Sequence, residues 1–396
     1  MPEAKPEAKP QAFTLCYEGK RGEAEILRQL EPRPLSFRDI TPRRPPEGEA
    51  QERPGRYFLG DNGDVLRHLL AEEEVRGRVQ LVYIDPPYGT GQVFTLDRRK
   101  GRAHSVSQPG QGDLGYRDTL TGPAFIEFLR ERLILLRELL SREGLIFVHL
   151  DEKHGFEVKI ILDEIFGREN FVNHISRVGS NPKNFSRKAF GSQKDMILVY
   201  SKTGDYYWNE VGVPYTEEDL RRLFPFVDEN GRRYTTNPLH APGETKEGPT
   251  GRPWRGIPPP PGRHWRYPPE VLEELDRKGL IVWSKSGVPR KKVYADERVG
   301  KGKKLQDVWE FKDPQNAFYP TEKNLDMLKL IVATASRPGD LVLDCFAGSG
   351  TTLIAAVTLG RRAIGVDSSQ EAVEAFWLKV SKHGLTSRIQ LLEVSP

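Results

Sequence analysis

Residues 79–88 read Val-Gln-Leu-Val-Tyr-Ile-Asp-Pro-Pro-Tyr. The first six are apolar or β-branched apart from Gln80, and two prolines stop the run. A short, nearly continuous apolar run of this kind predicts a strand covered on both faces, as in a parallel sheet. The same rhythm extends on either side. YFLGDNGDVLRHLL (57–70) reads as strand, turn and helix, and AFIEFLRERLILLRELL (124–140) as an amphipathic helix with Gly144 as its stop. LIFVHLD (145–151) is another buried strand and GFEVKIILDEIFG (155–167) another helix.

The alternation breaks near residue 176 and resumes late. NLDMLKLIVATAS (324–336) reads as a helix, DLVLDCF (340–346) as a strand, and TTLIAAVTLG (351–360) as a helix. RAIGVD (362–367) is a strand and EAVEAFWLKVSKHG (371–384) a helix. Strands alternating with helices predict an α/β fold with a Rossmann-like, doubly wound, mostly parallel sheet. Four segments follow: an N-terminal extension over 1–55, partly mobile, two halves of one α/β domain over 56–175 and 313–396, and an irregular insert over 176–312. Residues 234–269 are crowded with turn and breaker residues that no α/β core needs.

Composition narrows the class. The chain has 396 residues, long enough for a sizeable core, and only Cys16 and Cys345, too few for a disulfide scaffold or a thiolate zinc site. No apolar run reaches a membrane span and no apolar signal core opens the chain, so a soluble, cytoplasmic protein is expected. His149, Asp151, Glu152 and His154 match no metal-ligand pattern and read as a strand end followed by a helix cap; no metal is expected.

The formal charge of +4 is unevenly spread. Residues 176–312 hold 26 Lys and Arg against 18 Asp and Glu, which leaves the rest of the chain acidic. Two clusters interleave arginine with tryptophan: Arg252-Pro253-Trp254-Arg255 and Arg263-His264-Trp265-Arg266. Guanidinium groups beside aromatic faces suit phosphate contact and stacking, which places nucleic-acid binding ahead of simple packing of the tryptophans.

Two constellations carry chemistry. Asp85-Pro86-Pro87-Tyr88 sits just beyond a strand, where open α/β sheets bind their ligands. It offers a carboxylate, a carbonyl freed by a proline-fixed backbone, and a flat aromatic face. Asp344-Cys345-Phe346-Ala347-Gly348-Ser349-Gly350-Thr351 is a glycine-rich turn between strand and helix, the setting of a nucleotide site. Asp367 follows at the end of the next strand, where an acid suits a pair of ribose hydroxyls. Leu353 stands where a dinucleotide pattern has its third glycine, and the Lys-Ser/Thr of a phosphate loop is missing. The pocket therefore reads as one for a nucleoside without a pyrophosphate.

Together these motifs resemble the S-adenosylmethionine-dependent DNA amino-methyltransferases. In that family D-P-P-Y is the catalytic motif and F-x-G-x-G the cofactor motif. Their order here resembles the circularly permuted β group, which includes the modification subunits of type III restriction systems and related DNA adenine N6-methyltransferases. Leu59-Gly60-Asp61-Asn62, Tyr319-Pro320-Thr321-Glu322-Lys323 and the stretches Asn181–Lys183 and Ser192–Asp195 agree with it. Gly89, Cys345 and Asn324 depart from the usual Asn, Pro and Pro.

The resemblance implies a class I methyltransferase fold with a target-recognition insert, and methylation of adenine N6 in double-stranded DNA with S-adenosyl-L-methionine as donor. Asp85, Pro86, Pro87 and Tyr88 would act on a flipped-out base. Asp367 would hold the ribose. Asp344 would meet the methionine ammonium, and Thr321 and Lys323 its carboxylate. Phe346, Gly348, Gly350 and Thr351 would line the cofactor, with Asp61 and Asn62 near the adenine ring or simply in a turn. Arg252, Trp254, Arg255, Arg263, Trp265 and Arg266 would contact DNA. Residues 89–117 would form a mobile flap, and a homodimer and a restriction-subunit partner are further implications. Methylation of cytosine N4, and more remotely of a protein glutamine N5, are the alternatives.

Overall fold

The computed structural model describes residues 13–28, 34–42, 54–87, 93–97, 102–104, 113–117, 120–181, 188–245, 247–284, 287–300, 302–314, 317, 319 and 322–395. Tyr88 and Thr321, both expected in the site, lie outside the described residues. The chain forms two units, residues 1–210 with 306–396 and residues 211–305.

The first unit is built on a ten-stranded sheet. Its strands in chain order are β1 (Phe37–Asp39), β2 (Gly55–Leu59), β3 (Val79–Ile84), β4 (Leu140–Leu150), β5 (Phe171–Val178), β6 (Lys194–Ser201), β7 (Val308–Glu310), β8 (Leu341–Asp344), β9 (Arg362–Asp367) and β10 (Ile389–Val394). The spatial order is β1-β10-β2-β9-β8-β3-β4-β6-β5-β7. From β10 through β4 all neighbours are parallel, while β6 runs antiparallel to both β4 and β5. β3 and β8, near opposite ends of the sequence, lie side by side with Leu343 opposite Val82.

All six residues of β3 are buried, as the run of residues 79–84 predicts. Besides a short helix at Glu23–Arg28, the helices are α1 (Asn62–Leu69), α2 (Gly122–Leu139), α3 (Gly155–Phe166), α4 (Leu325–Ala335), α5 (Thr351–Thr358) and α6 (Gln370–Lys382). Three begin with a side chain satisfying a free backbone N–H: Asp61 for α1, Asn324 for α4 and Ser369 for α6. Asn324 thus departs from the family's usual proline and supplies a cap, while its amide donates to the Lys312 carbonyl at 2.8 Å. The core joins Leu66 and Leu69 of α1, Leu133 and Leu136 of α2, Ile161 and Leu162 of α3, and the buried strand residues. Among the described residues no helix is long and apolar enough to cross a membrane.

The structure refines three sequence expectations. The described part of the N-terminal extension, expected to be partly mobile, is docked. β1 pairs with β10, Ile26 is buried, and Lys20 pairs with Glu164 at 2.7 Å. Within the expected flap over 89–117, Val93–Asp97 pairs antiparallel with both Arg102–His104 and Asp113–Arg117, and the other residues of that stretch lie outside the described ones. The insert is shorter than 176–312. β5, β6 and β7 belong to the main sheet, so the separate unit spans 211–305.

That second unit is also more regular than its composition predicts. A four-stranded antiparallel sheet (226–227, 233–238, 289–294, 281–283) accompanies the helix Pro269–Arg277. Leu239, Trp254, Trp265, Leu272 and Ile281 form its core, and Trp254 stacks on Trp283 with ring centres 5.4 Å apart. A unit of this size has few aliphatic side chains to bury, so Trp254 and Trp265 fill the interior.

Candidate active site

The carboxyl ends of β2, β9, β8, β3 and β4 define one edge of the sheet. They carry Asp61 and Asn62, Asp367, Asp344, Asp85 and His149 in that spatial order. Register makes this concrete: Leu59 lies opposite Asp367, Asp344 opposite Gly365, and Ile84 opposite Val148. The geometry therefore gathers the two constellations that the sequence separates.

The glycine turn is tightly specified. Gly348 and Gly350 both have positive φ, at 50° and 66°, a region that favours glycine. A Cβ on Gly350 would also sit 2.2 Å from the Phe376 ring. The close approach of helix and strand, which a third glycine on α5 would allow, is arranged from the strand instead. Gly365 of β9 faces Leu353, and a Cβ there would lie 2.6 Å from it. The Tyr57 hydroxyl donates to the Gly348 carbonyl at 2.7 Å, and Asn62 donates to the Cys345 carbonyl at 2.9 Å. Asn62 in turn accepts from Arg132 at 2.9 Å, so α1 and α2 both brace the turn.

The acids divide by role. Asp367, partly exposed, accepts from the Gly348 and Ser369 amides at 2.8 and 3.0 Å, and burial raises its pKa. Asp61 caps α1 by accepting from the Asp64 amide. Asp344 is buried and holds the turn from inside, accepting from the Thr352 hydroxyl at 2.6 Å and the Phe346 amide at 3.0 Å. Thr351 is buried as well, its hydroxyl accepting from Lys379 at 2.6 Å. Lys379 also pairs with Glu322 at 2.9 Å, which ties the segment carrying Lys323 to α6.

Burial raises the Asp344 pKa to about 7, with the nearby charge of Asp85 adding to it and the two hydrogen bonds opposing it. An ordinary unfolded carboxylate titrates near 3.8. The folded chain therefore holds an extra proton between those values, and stability from this group falls as pH rises through that window. Urea midpoints measured at pH 5 and pH 8 should show this fall in the parent and lose it in Asp344→Asn.

Asp85 follows β3, with its side chain 14% exposed, and Pro86 is buried. Lys323, 8% exposed, places its Nζ 2.6 Å from Asp85 Oδ2. Behind this pair runs a polar chain that sequence reading missed. Tyr83 meets His149 Nδ1 at 2.8 Å, and His149 Nε2 meets Asp195 at 3.1 Å. Arg177, fully buried, donates to Asp195 at 2.9 Å and also to Asp313. Burial raises the Asp313 pKa, although Lys323 and Arg177 oppose it. Burial acts the same way on Asp195, but His149, Lys323 and Arg177 outweigh it and lower its pKa. His149 drew notice in the sequence only as a strand end, and Asp195 only within the stretch Ser192–Asp195. Arg177 and Asp313 carried no local signal, because long-range pairing alone brings them together with Asp195.

In the second unit the arginine–tryptophan clusters separate. Trp254 and Trp265 are 2% and 1% exposed, which corrects the expectation that they offer faces to DNA. Arg252 pairs with Glu270, and Arg255 with Glu273 and Asp276. Arg263 and Arg266 are exposed. Arg263 lies 3.1 Å from His240 Nδ1, and the His240 pKa is lowered by burial and by the charges of Arg263, Arg290 and Arg266.

Comparison with known proteins is consistent with this geometry. A family described as DNA methylase matches residues 79–377. The chain is 41% identical over 368 residues to the type II methyltransferase M.EcaI of Enterobacter cloacae, covering 90% of this chain and 75% of that protein. It is 28% identical to the Mod subunit of the type III restriction-modification enzyme StyLTI of Salmonella typhimurium, over 76% of this chain and 50% of that protein. It is 25% identical to the EcoP15I Mod subunit of Escherichia coli, over 87% of this chain and 62% of that one, so it spans half to two thirds of these Mod subunits. The crystal structure of the M1.HpyAVI–SAM complex aligns with a TM-score of 0.41 and 15% identity, covering 82% of this chain and 98% of that one.

Proposed function

The chain belongs to the DNA methylase family, and we propose that it transfers a methyl group from S-adenosyl-L-methionine to adenine N6 in double-stranded DNA. The observation that carries this reading is the gathering of Asp85, Lys323, Asp344 and Asp367 along one edge of the sheet, around a turn stripped of Cβ atoms at Gly348 and Gly350.

The residues present fit an adenosyl amino acid. Asp367 offers a partly exposed acid for a ribose diol and Lys323 a cation for a carboxylate, while Asp344, expected to meet the ammonium, is buried and instead holds the glycine turn that lines the site. When bound, S-adenosylmethionine supplies an electrophilic methyl group. Asp85 and the Pro86 carbonyl would accept the two N–H groups of the target amine, whose lone pair is otherwise delocalised into the base. Accepting both draws that lone pair onto nitrogen and faces the developing positive charge with a carboxylate. Tyr88 would stack on the flipped base. Orientation and electrostatics supply the rate; no covalent enzyme intermediate is required.

Adenine rather than cytosine N4 rests on the Asp that opens the motif. Sequencing that reads modified bases, applied to DNA from cells expressing the chain, gives base, position and recognition site together. N6-methyladenine at one sequence motif is expected, and N4-methylcytosine would replace the adenine reading. A homodimer and a restriction-subunit partner rest on likeness to Mod subunits. Light scattering of the purified chain tests the first.

DNA contact is proposed for Arg263 and Arg266, with Arg290 and His240 beside them; the acids opposite Arg252 and Arg255 make those two weaker candidates. Deleting one phosphate-binding cation should reduce the slope of log affinity against log salt by about 0.9. Fluorescence anisotropy with a duplex over a salt series should show that drop for Arg263→Ala and for Arg266→Ala, and a smaller one for Arg252→Ala.

A further inference from the structure

The group proposed to receive the target amine is already engaged. Lys323 Nζ lies 2.6 Å from Asp85 Oδ2, and both side chains are largely shielded from solvent. A carboxylate oxygen held by an ammonium at that distance has given up hydrogen-bonding capacity and electron density that an amine would need.

Lys323 is also placed to hold more than one partner. Its neighbours on both sides are anchored: Glu322 pairs with Lys379, and the Asn324 amide donates to Asp313 at 3.2 Å. The backbone is thereby anchored on either side of the lysine. Its charge acts on Asp195 and Asp313 as well as pairing with Asp85, and Arg177 bonds to the first two. Asp85 also acts on Asp344 at the end of the adjoining strand, so the amine site and the cofactor site share one electrostatic field. A ligand carrying a carboxylate into this edge competes with Asp85 for the same ammonium.

We propose that the Asp85–Lys323 ion pair is a resting lock on the site, opened when Lys323 transfers to the carboxylate of the cofactor's methionine portion, which frees Asp85 for the target amine. Lys323 is then a positioning residue, and the cofactor's arrival prepares the amine site. This rests on the proposed function and adds an order of events to it. Coupling of this kind is reciprocal: whatever removes Asp85 from Lys323 strengthens the hold on a carboxylate.

Isothermal titration of the full-length chain separates the possibilities, using two ligands. S-adenosylhomocysteine carries the carboxylate, and 5′-methylthioadenosine lacks the amino-acid portion. Asp85→Asn is expected to bind S-adenosylhomocysteine about 5- to 30-fold more tightly than the parent, within the usual range of coupling between sites. It should bind 5′-methylthioadenosine unchanged. In a Lys323→Met background, Asp85→Asn should bring no gain. Asp85→Ala, with its fold checked by thermal melting, repeats the test should the amide make new bonds.

An unchanged or weaker affinity for S-adenosylhomocysteine in both Asp85 variants overturns the lock while leaving the methyltransferase reading intact. An equal gain with 5′-methylthioadenosine overturns it too, because the effect would then bypass the carboxylate. A parent chain that binds neither ligand overturns the proposed function and the lock together.

Discussion

Asp85→Ala is expected to lower methyl transfer about 10³-fold while the chain still binds S-adenosylhomocysteine. A side chain positioned to accept a proton or hydrogen bond in the transition state contributes roughly 10²- to 10⁴-fold. Asp85 stands at the end of β3, whose six residues are all buried, and its pairing with Lys323 shows that the carboxylate points into the polar edge of the sheet. Alanine removes the acceptor without disturbing the strand. The measurement is single-turnover transfer of a radioactive methyl group to duplex DNA, with cofactor affinity measured in parallel. Near-normal transfer in the variant would remove Asp85 from the chemistry.

The second large effect is on stability. Arg177 has no exposed side-chain surface and joins Asp195 of β6 to Asp313, while its Nε donates to the Phe311 carbonyl at 2.9 Å. Arg177→Met leaves two partly exposed carboxylates without their shared cation. Removing one partner of a fully buried ion pair costs about 3–5 kcal/mol, chiefly because the remaining charge stays desolvated, and the partial exposure of Asp195 and Asp313 lowers this to about 2–3 kcal/mol. Urea unfolding should show a loss of that order. It should also depend on pH in a definite direction. Without Arg177 the carboxylates lose the charge that holds their pKa down, so the folded form gains by binding protons. The deficit is then smaller at pH 5 than at pH 8. Asp313→Asn added to Arg177→Met should recover part of it. A deficit independent of pH would mean that Arg177 acts by packing alone.

Much of this was legible from local sequence. Residues 79–88 specify a buried strand ending in a rigid turn because apolar content, length and two prolines all act within ten residues. Gly348 and Gly350 were legible for the same reason: each answers a local backbone demand, and Gly350 also leaves room for a ring. Asp85, Asp344 and Asp367 could be placed because a strand end is a position the chain itself defines.

What local pattern could not supply is pairing across distance. Arginine and tryptophan side by side read as a DNA surface, yet Trp254 and Trp265 fill the core of their unit and Arg255 is held by two acids. Burial depends on what lies opposite, which sequence neighbours do not reveal. The boundary of the insert moved for a related reason. β5, β6 and β7 join the main sheet by hydrogen bonds to one another and to β4, and composition does not register such bonds.

The sequence by itself determined the strand–helix order over residues 57–167 and 324–384, the turns that demand glycine and proline, and which acids stand at strand ends, since each depends on a few consecutive residues. Only the tertiary structure decided that Lys323 faces Asp85, that Arg177 bridges Asp195 and Asp313, and that a glycine on β9 replaces one on α5. Those are relations between segments far apart in the chain, brought within bonding distance only when the sheet closes around its core.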